Sequence, residues 1–168
     1  MNGLDFSIEI VKNLTKIKKN CMIVVGDEPV IKNHTDRILQ KYLKDSDLDQ
    51  INITVDKSTK IESLQPFFMD GSLFNNHTYF RINVLSGRVP DEVKKFLTDI
   101  IRVNDSDLFK IHIDSTLKDF SKTVWSKDLS DVSIVLEASE PKSSQIKEAV
   151  IARSAFYQVT LTNDSIDL

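Results

Sequence analysis

The chain has 168 residues, of which 40% are apolar and 28% charged, and its formal net charge is −3. That length fits one domain, or one domain with part of a second, and the acidic balance excludes a general attraction to nucleic acid, so any DNA contact is local or indirect. The single cysteine excludes an internal disulfide, and the lack of a long apolar stretch predicts a cytoplasmic protein with no signal peptide and no membrane contact.

Hydrophobic periodicity in the first half of the chain predicts helices that alternate with strands. Apolar residues three and four apart predict a first helix over 5–18. The continuous apolar run 21–25 is typical of a strand buried on both faces. The next helix runs to about residue 44, with Asp27 as a candidate cap and Pro29 tolerated in its first turn. Further along, the pattern predicts a strand over 51–55, a short helix over 61–68 and a strand over 79–85.

The second half continues the alternation. A strongly periodic helix follows Pro90, and the pattern then predicts a strand over 108–113, a helix over 117–129 and a strand over 132–136. Strands alternating with helices indicate an α/β fold, with a parallel five-stranded sheet and helices on both faces.

The pattern changes after Pro141. A helix is predicted over 143–156, and Thr162 to Asp164 are candidate caps for another helix. We therefore expect two domains: 1–140, and the beginning of a helical lid domain at 141–168 that is truncated here.

The junction after the first strand is built like a phosphate-binding loop without that loop's functional residues. A working loop needs several glycines, a lysine and a hydroxyl group, whereas Gly26 is followed by Asp27, Glu28 and Pro29. The first cation, Lys32, falls inside the helix. We expect no nucleotide cofactor here. The alternative that stays open is a small nucleotide-binding enzyme or switch with a degenerate phosphate loop.

No other pattern predicts catalysis or metal binding. Asp114 ends an apolar strand as a magnesium-binding aspartate would, but Ser115 follows it where a catalytic glutamate would be needed, so a turn or cap role extending to Thr116 is favoured. The histidines share no ligand spacing with each other or with Cys21. A receiver-like signalling domain is a third possibility, although no acidic cluster supports it.

Two large apolar residues, Leu73 and Phe74, lie on the connection between a predicted helix and a predicted strand. Connections run over the surface, where such side chains have no general reason to be. They therefore either fold back under the loop or bind a partner.

Taken together, these segments resemble the delta subunit of the bacterial DNA polymerase III clamp loader. The resemblance covers nearly the whole chain. It rests on the apolar strand and acidic junction at 21–29, on Ser72-Leu73-Phe74, on the following strand that bears Arg81, and on Thr123-Val124-Trp125.

The resemblance implies an AAA+-like domain without ATP chemistry or catalytic residues, in a subunit of the DNA polymerase III holoenzyme. Such a subunit binds the sliding clamp (the beta subunit) and helps to open its ring during DNA replication. It contacts the other loader subunits mainly through a C-terminal domain missing from this chain, and DNA indirectly or weakly.

The family's clamp-binding element corresponds to Ser72, Leu73 and Phe74 here. The family has a further apolar residue just before the serine, where this chain has Gly71. Substitute contact is expected from residues at the end of the preceding helix: Phe67, Phe68 and Met69.

Overall fold

A computed structural model describes residues 1–14, 19–44, 48–69, 77–85 and 89–162. Its strands are β1 (Cys21–Val25), β2 (Asp49–Val55), β3 (Thr78–Val84), β4 (Leu108–Ile113) and β5 (Ser133–Glu137). Its α-helices are α1 (Ile8–Leu14), α2 (Pro29–Lys44), α3 (Ile61–Met69), α4 (Asp91–Val103), α5 (Leu117–Phe120), α6 (Val124–Asp128) and α7 (Ile146–Phe156). Short 3-10 turns precede α1 and α7, at Gly3–Asp5 and Ser143–Gln145.

The strands form one parallel sheet in the order β2-β3-β4-β1-β5. β1 is an interior strand and is buried along its whole length, because β4 and β5 flank it and helices cover both of its faces. The predicted α/β fold with a five-stranded parallel sheet is therefore confirmed.

Each face of the sheet has its own hydrophobic core. On one face, Cys21, Ile23 and Val25 of β1 pack with apolar residues of α3, α4, α5 and α6. On the other face, Met22 and Val24 pack with apolar residues of α1 and α2. Alternate residues of a strand point to opposite faces, so a five-residue apolar strand supplies both cores.

The two outer edges of the sheet differ. Met1 lies along β5, where its carbonyl accepts the N–H of Glu137 at 2.8 Å and its amino group donates to the carbonyl of Val135 at 3.1 Å. The next residue, Asn2, forms a parallel bridge with Glu137. Residues 1–2 therefore cover the outer edge of β5, whereas β2 forms the opposite edge.

Three predicted helices differ from the observed ones. The first begins later, at Ile8, because the Asn2 side chain instead accepts the N–H of Leu4 and caps a separate 3-10 turn. The helix predicted over 117–129 is two helices, because the Thr123 hydroxyl accepts the N–H of Ser126 and starts α6 anew. The helix predicted over 143–156 begins with the 3-10 turn Ser143–Gln145.

The last described helix, α7, packs against α2 and the first 3-10 turn. The Arg37 guanidinium donates a hydrogen bond to the carbonyl of Ala155. No helix in the described ranges is long and apolar enough to cross a lipid bilayer.

Candidate functional site

The junction between β1 and α2 occupies the position where a phosphate loop would lie. Gly26 has a φ of +116°, a conformation that L residues with side chains rarely adopt. A Cβ atom built on Gly26 would lie 2.1 Å from the carbonyl oxygen of Ala138, so the chain after β5 closes directly on this glycine. His112 holds the other side of the junction, with its Nε2 atom 2.8 Å from the Gly26 carbonyl oxygen.

The carboxylate of Glu28 caps the first turn of α2. The Glu28 carboxylate accepts the backbone N–H of Ile31 at 2.8 Å, a contact that a phosphate oxygen would make in a nucleotide-binding loop. Its second oxygen lies 3.8 Å from the guanidinium of Arg153 on α7. The side chain that caps α2 is therefore Glu28 rather than the expected Asp27, which is exposed.

The cap predicted after β4 is provided by Thr116. Its hydroxyl oxygen accepts the N–H of Asp119 at 3.1 Å and so starts α5. Asp114 is exposed at the end of β4, as the turn interpretation expects. Within the described ranges, no three His, Cys, Asp or Glu side chains are grouped closely enough to hold a metal ion.

The predicted clamp-binding residues Gly71, Ser72, Leu73 and Phe74 lie outside the described residues. The helix that leads to them is described, and its end carries two phenylalanines in contrasting environments. Phe67 is 41% exposed. Phe68 instead packs on the core, with its ring centroid 4.8 Å from that of Phe80 and 5.9 Å from that of Phe96.

Of the residues expected to support the clamp-binding element, Phe67 is therefore the one seen at the surface. Most of the Phe68 ring serves the domain's own packing. Met69 is the last residue of α3, and its side chain lies outside the described part of the chain.

A buried polar cluster lies between α2 and the sheet, and periodicity alone does not reveal it. Asp36 of α2 accepts hydrogen bonds from Arg81 of β3, at 2.9 Å, and from the ammonium group of Lys110 of β4. The Lys110 side chain is only 3% exposed and also donates to the Thr35 hydroxyl at 3.3 Å. Burial lowers the pKa of Lys110, while the charge of Asp36 acts in the opposite direction.

Arg81, one of the residues on which the family resemblance rests, is thus paired with Asp36 of α2. The three charged residues come from one helix and two strands, α2, β3 and β4, which meet only in the folded domain. Because both cations share one carboxylate, Asp36 is the residue on which the cluster depends.

A cleft of about 940 Å³ opens on the other face of the sheet, between α4 and the α5–α6 region. Its floor includes Trp125, whose indole N–H donates to the Thr98 hydroxyl at 3.1 Å. Its rim carries charges of both signs, including Lys94, Asp99 and Asp114. This mixed lining does not select one ligand class.

No protein-family model matches the sequence, and neither does any curated protein. Solved structures do match. Rif2, in a complex with the C-terminal domain of Rap1, is similar with a TM-score of 0.54 and 19% identity, covering 98% of this chain and 62% of that one. The Bacillus subtilis DNA clamp loader delta protein is similar with a TM-score of 0.57 and 14% identity, covering 94% of this chain and 50% of that one.

A further match is C. elegans PCH-2, with a TM-score of 0.50 and 15% identity, covering 94% of this chain and 48% of that one. The chain thus spans about half to three-fifths of the length of these proteins. At such low identities the matches show only that this chain shares the fold of part of each of these proteins.

Proposed function

We propose that this chain is a non-catalytic clamp-loader subunit that binds a ring-shaped DNA sliding clamp and helps to open it during DNA replication. Two independent observations support the proposal. The sequence carries Ser72-Leu73-Phe74 in the family's order, and the described part of the chain has the fold of a bacterial clamp loader delta protein.

The observation that carries the proposal furthest is the exposure of Phe67. Phe67 is 41% exposed at the end of α3, and Leu73 follows it six positions later in the sequence. Gly71 stands where the family has an apolar anchor, and Phe67 is the replacement available on the described surface.

The energetics require such a replacement. Burying a leucine and a phenylalanine contributes roughly 1.5–3 kcal/mol each. Association itself costs about 4–15 kcal/mol. Two anchors alone would therefore bind weakly. A third, aromatic anchor would raise the affinity substantially, because most of the binding energy of an interface comes from a few large buried side chains.

Ring opening then follows from differential affinity. A subunit that binds the open clamp better than the closed one shifts the ring toward opening, whereas equal affinity shifts nothing. In this proposal, nucleotide chemistry belongs to other loader subunits, and contact with them is made mainly through a C-terminal domain of the kind the family has. The boundary near residue 140 and an indirect or weak contact with DNA are parts of the same proposal.

The position of Glu28 argues against the alternative of a nucleotide-binding enzyme or switch. A bound phosphate would have to displace the Glu28 carboxylate from the Ile31 N–H and would meet its negative charge. Millimolar ATP or GTP with magnesium should leave the melting temperature unchanged. A raised melting temperature would instead support the alternative, because ligand binding to the folded state stabilises it.

The proposal is tested by binding to the sliding clamp of the organism from which the sequence comes. The Leu73→Ala/Phe74→Ala variant is compared with wild type by surface plasmon resonance. A matched control is Val103→Ala/Val124→Ala, which truncates two apolar residues that lie on other elements and are 80% and 72% exposed. We expect a loss of at least tenfold for the first variant and none for the control.

A thermal melt accompanies each variant. Equal clamp binding by wild type and by a folded Leu73→Ala/Phe74→Ala variant would remove these residues from the mechanism. Release of preloaded clamp from circular DNA separates opening from binding, because a subunit that only binds leaves the clamp on the circle.

A further inference from the structure

β2 lies at one end of the sheet, so its outer edge faces away from β3. β2 ends the strand order on one side, and the opposite end, β5, is covered by residues 1–2. Within the described ranges, no residue pairs with the outer edge of β2.

The hydrogen bonds to β3 show which β2 residues face outward. Asp49 donates its N–H to the carbonyl of His77 at 3.1 Å, and the Val55 carbonyl accepts the N–H of Leu85 at 3.0 Å. The N–H and C=O of one strand residue point to the same side, and this side alternates along the strand. The backbone groups of Gln50, Asn52 and Thr54 therefore point away from the sheet.

This edge lacks the features that normally block strand pairing. Segment 49–55 contains no proline, glycine, lysine or arginine, and its single charge, Asp49, lies at its first position. Exposed edge strands are usually protected by such residues or by a covering segment. Because the seven-residue strand β2 lacks these protective features, its outer edge can form hydrogen bonds with another strand.

The same segment is complementary to itself. A two-fold axis through Asn52 places Gln50 opposite Thr54 of a second copy, Asn52 opposite its own copy, and Thr54 opposite Gln50. Each of these pairs joins two outward-facing residues, so each can exchange both N–H···O bonds of an antiparallel ladder. All of these side chains are uncharged, so the arrangement contains no like-charge repulsion.

We infer that β2 binds β2 of a second copy of this chain in antiparallel orientation, with the two-fold axis at Asn52, and so joins two sheets into one. Such an isologous contact closes after two copies, because both copies use the outer edge of β2, and residues 1–2 already pair with the outer edge of β5.

The dimer should be weak. Stable interfaces bury about 1,200–2,000 Å² in total, and one pair of seven-residue strands buries less. We expect a monomer at low concentration and a dimer that grows with concentration in sedimentation velocity.

Cysteine cross-linking tests the register. In a hydrogen-bonded antiparallel pair the Cα atoms lie about 5.5 Å apart, within the range for a disulfide. Asn52→Cys should therefore form a disulfide dimer in oxidised glutathione. Thr54→Cys is the matched control, because the two copies of residue 54 would lie roughly 14 Å apart. The native Cys21 is buried and does not compete.

Charge variants test the same pairing without a covalent bond. Gln50→Lys/Thr54→Lys places lysines opposite each other and should weaken dimerisation at least tenfold. Gln50→Glu/Thr54→Lys places opposite charges together and should preserve or strengthen it. Both variants change the same exposed positions, so an effect on folding alone would not separate them.

Two results would overturn the inference. One is a disulfide dimer of the folded Asn52→Cys protein that is no more abundant than that of Thr54→Cys. The other is an equal response of the two charge variants in sedimentation velocity.

Discussion

Phe68 and Phe80 pack ring against ring, with centroids 4.8 Å apart and planes inclined by 38°. Phe80 in turn stacks on Phe109 of the neighbouring strand at 5.1 Å. The end of α3 is therefore anchored to the sheet by an aromatic row. The adjacent residue, Phe67, is 41% exposed, so the two consecutive phenylalanines lie in different environments.

Alanine substitution should separate the two residues. Phe68→Ala removes ring contacts and should destabilise the fold by roughly 2–4 kcal/mol, somewhat below the cost for a fully buried phenylalanine. Phe67→Ala should cost less than about 1 kcal/mol but should weaken clamp binding. Urea denaturation and clamp binding measured on both variants check this. Loss of clamp affinity in Phe68→Ala alone would contradict the assignment of Phe67.

Removing the α2 cap should have a measurable cost. Glu28→Ala leaves the N–H of Ile31 without its side-chain partner and should lower the free energy of unfolding by about 1 kcal/mol. Asp27→Ala is the matched control: it removes an exposed carboxylate one position earlier and should cost less. Chemical denaturation measures both. A larger loss for Asp27→Ala would show that the cap had been assigned to the wrong residue.

The shared carboxylate of the buried cluster predicts unequal effects for its members. Asp36→Asn leaves the buried ammonium of Lys110 without an anion and should cost about 3–5 kcal/mol. Lys110→Met should cost clearly less, because Asp36 keeps its ion pair with Arg81. Equal losses in thermal and urea unfolding would show that the carboxylate does not hold both cations.

His112 should make the fold sensitive to mild acid. Burial lowers the pKa of its imidazole below the ordinary value of 6.5, although the bond to the Gly26 carbonyl opposes the shift. A depressed pKa means that the unfolded chain binds the proton more readily, so this contribution is intact above about pH 6.5 and is lost as pH falls through the lower, folded-state pKa.

The free energy of unfolding of wild type should therefore decrease between pH 7 and pH 5 more steeply than that of His112→Gln, which keeps an N–H donor but cannot be protonated. Parallel slopes for the two proteins would exclude His112 as the source of the acid sensitivity.

Much of the fold follows from periodicity because parallel strands need apolar residues on both faces. β1 and β4 were predicted at their observed bounds, and the other strands to within two residues, since each is either an apolar run or a stretch that alternates apolar and polar residues. The break inside 117–129 was missed because Thr123 fits a continuous helical pattern, and only its side-chain cap shows that a new helix begins there.

The site was less accessible to sequence reasoning. The roles of Asp36, Arg81 and Lys110 depend on strand order, which places residues 45 and 74 positions away from Asp36 against one helix. The sequence places both Asp27 and Glu28 at the junction that resembles a phosphate loop. Which of the two caps α2 depends on the backbone geometry of that junction, which the sequence does not reveal. The assignment of Ser72, Leu73 and Phe74 to clamp binding stays a prediction.

Ala138, which follows β5, lies directly against Gly26 and connects the end of β5 to the β1–α2 junction. Ala138 donates its N–H to the carbonyl of Val25 at 2.7 Å, and its own carbonyl accepts the N–H of Glu28 at 3.0 Å. A force applied to the chain after β5 would therefore be transmitted to the first turn of α2 through one residue, Ala138. The β1–α2 junction would therefore act as a joint between the segment that follows β5 and the start of α2.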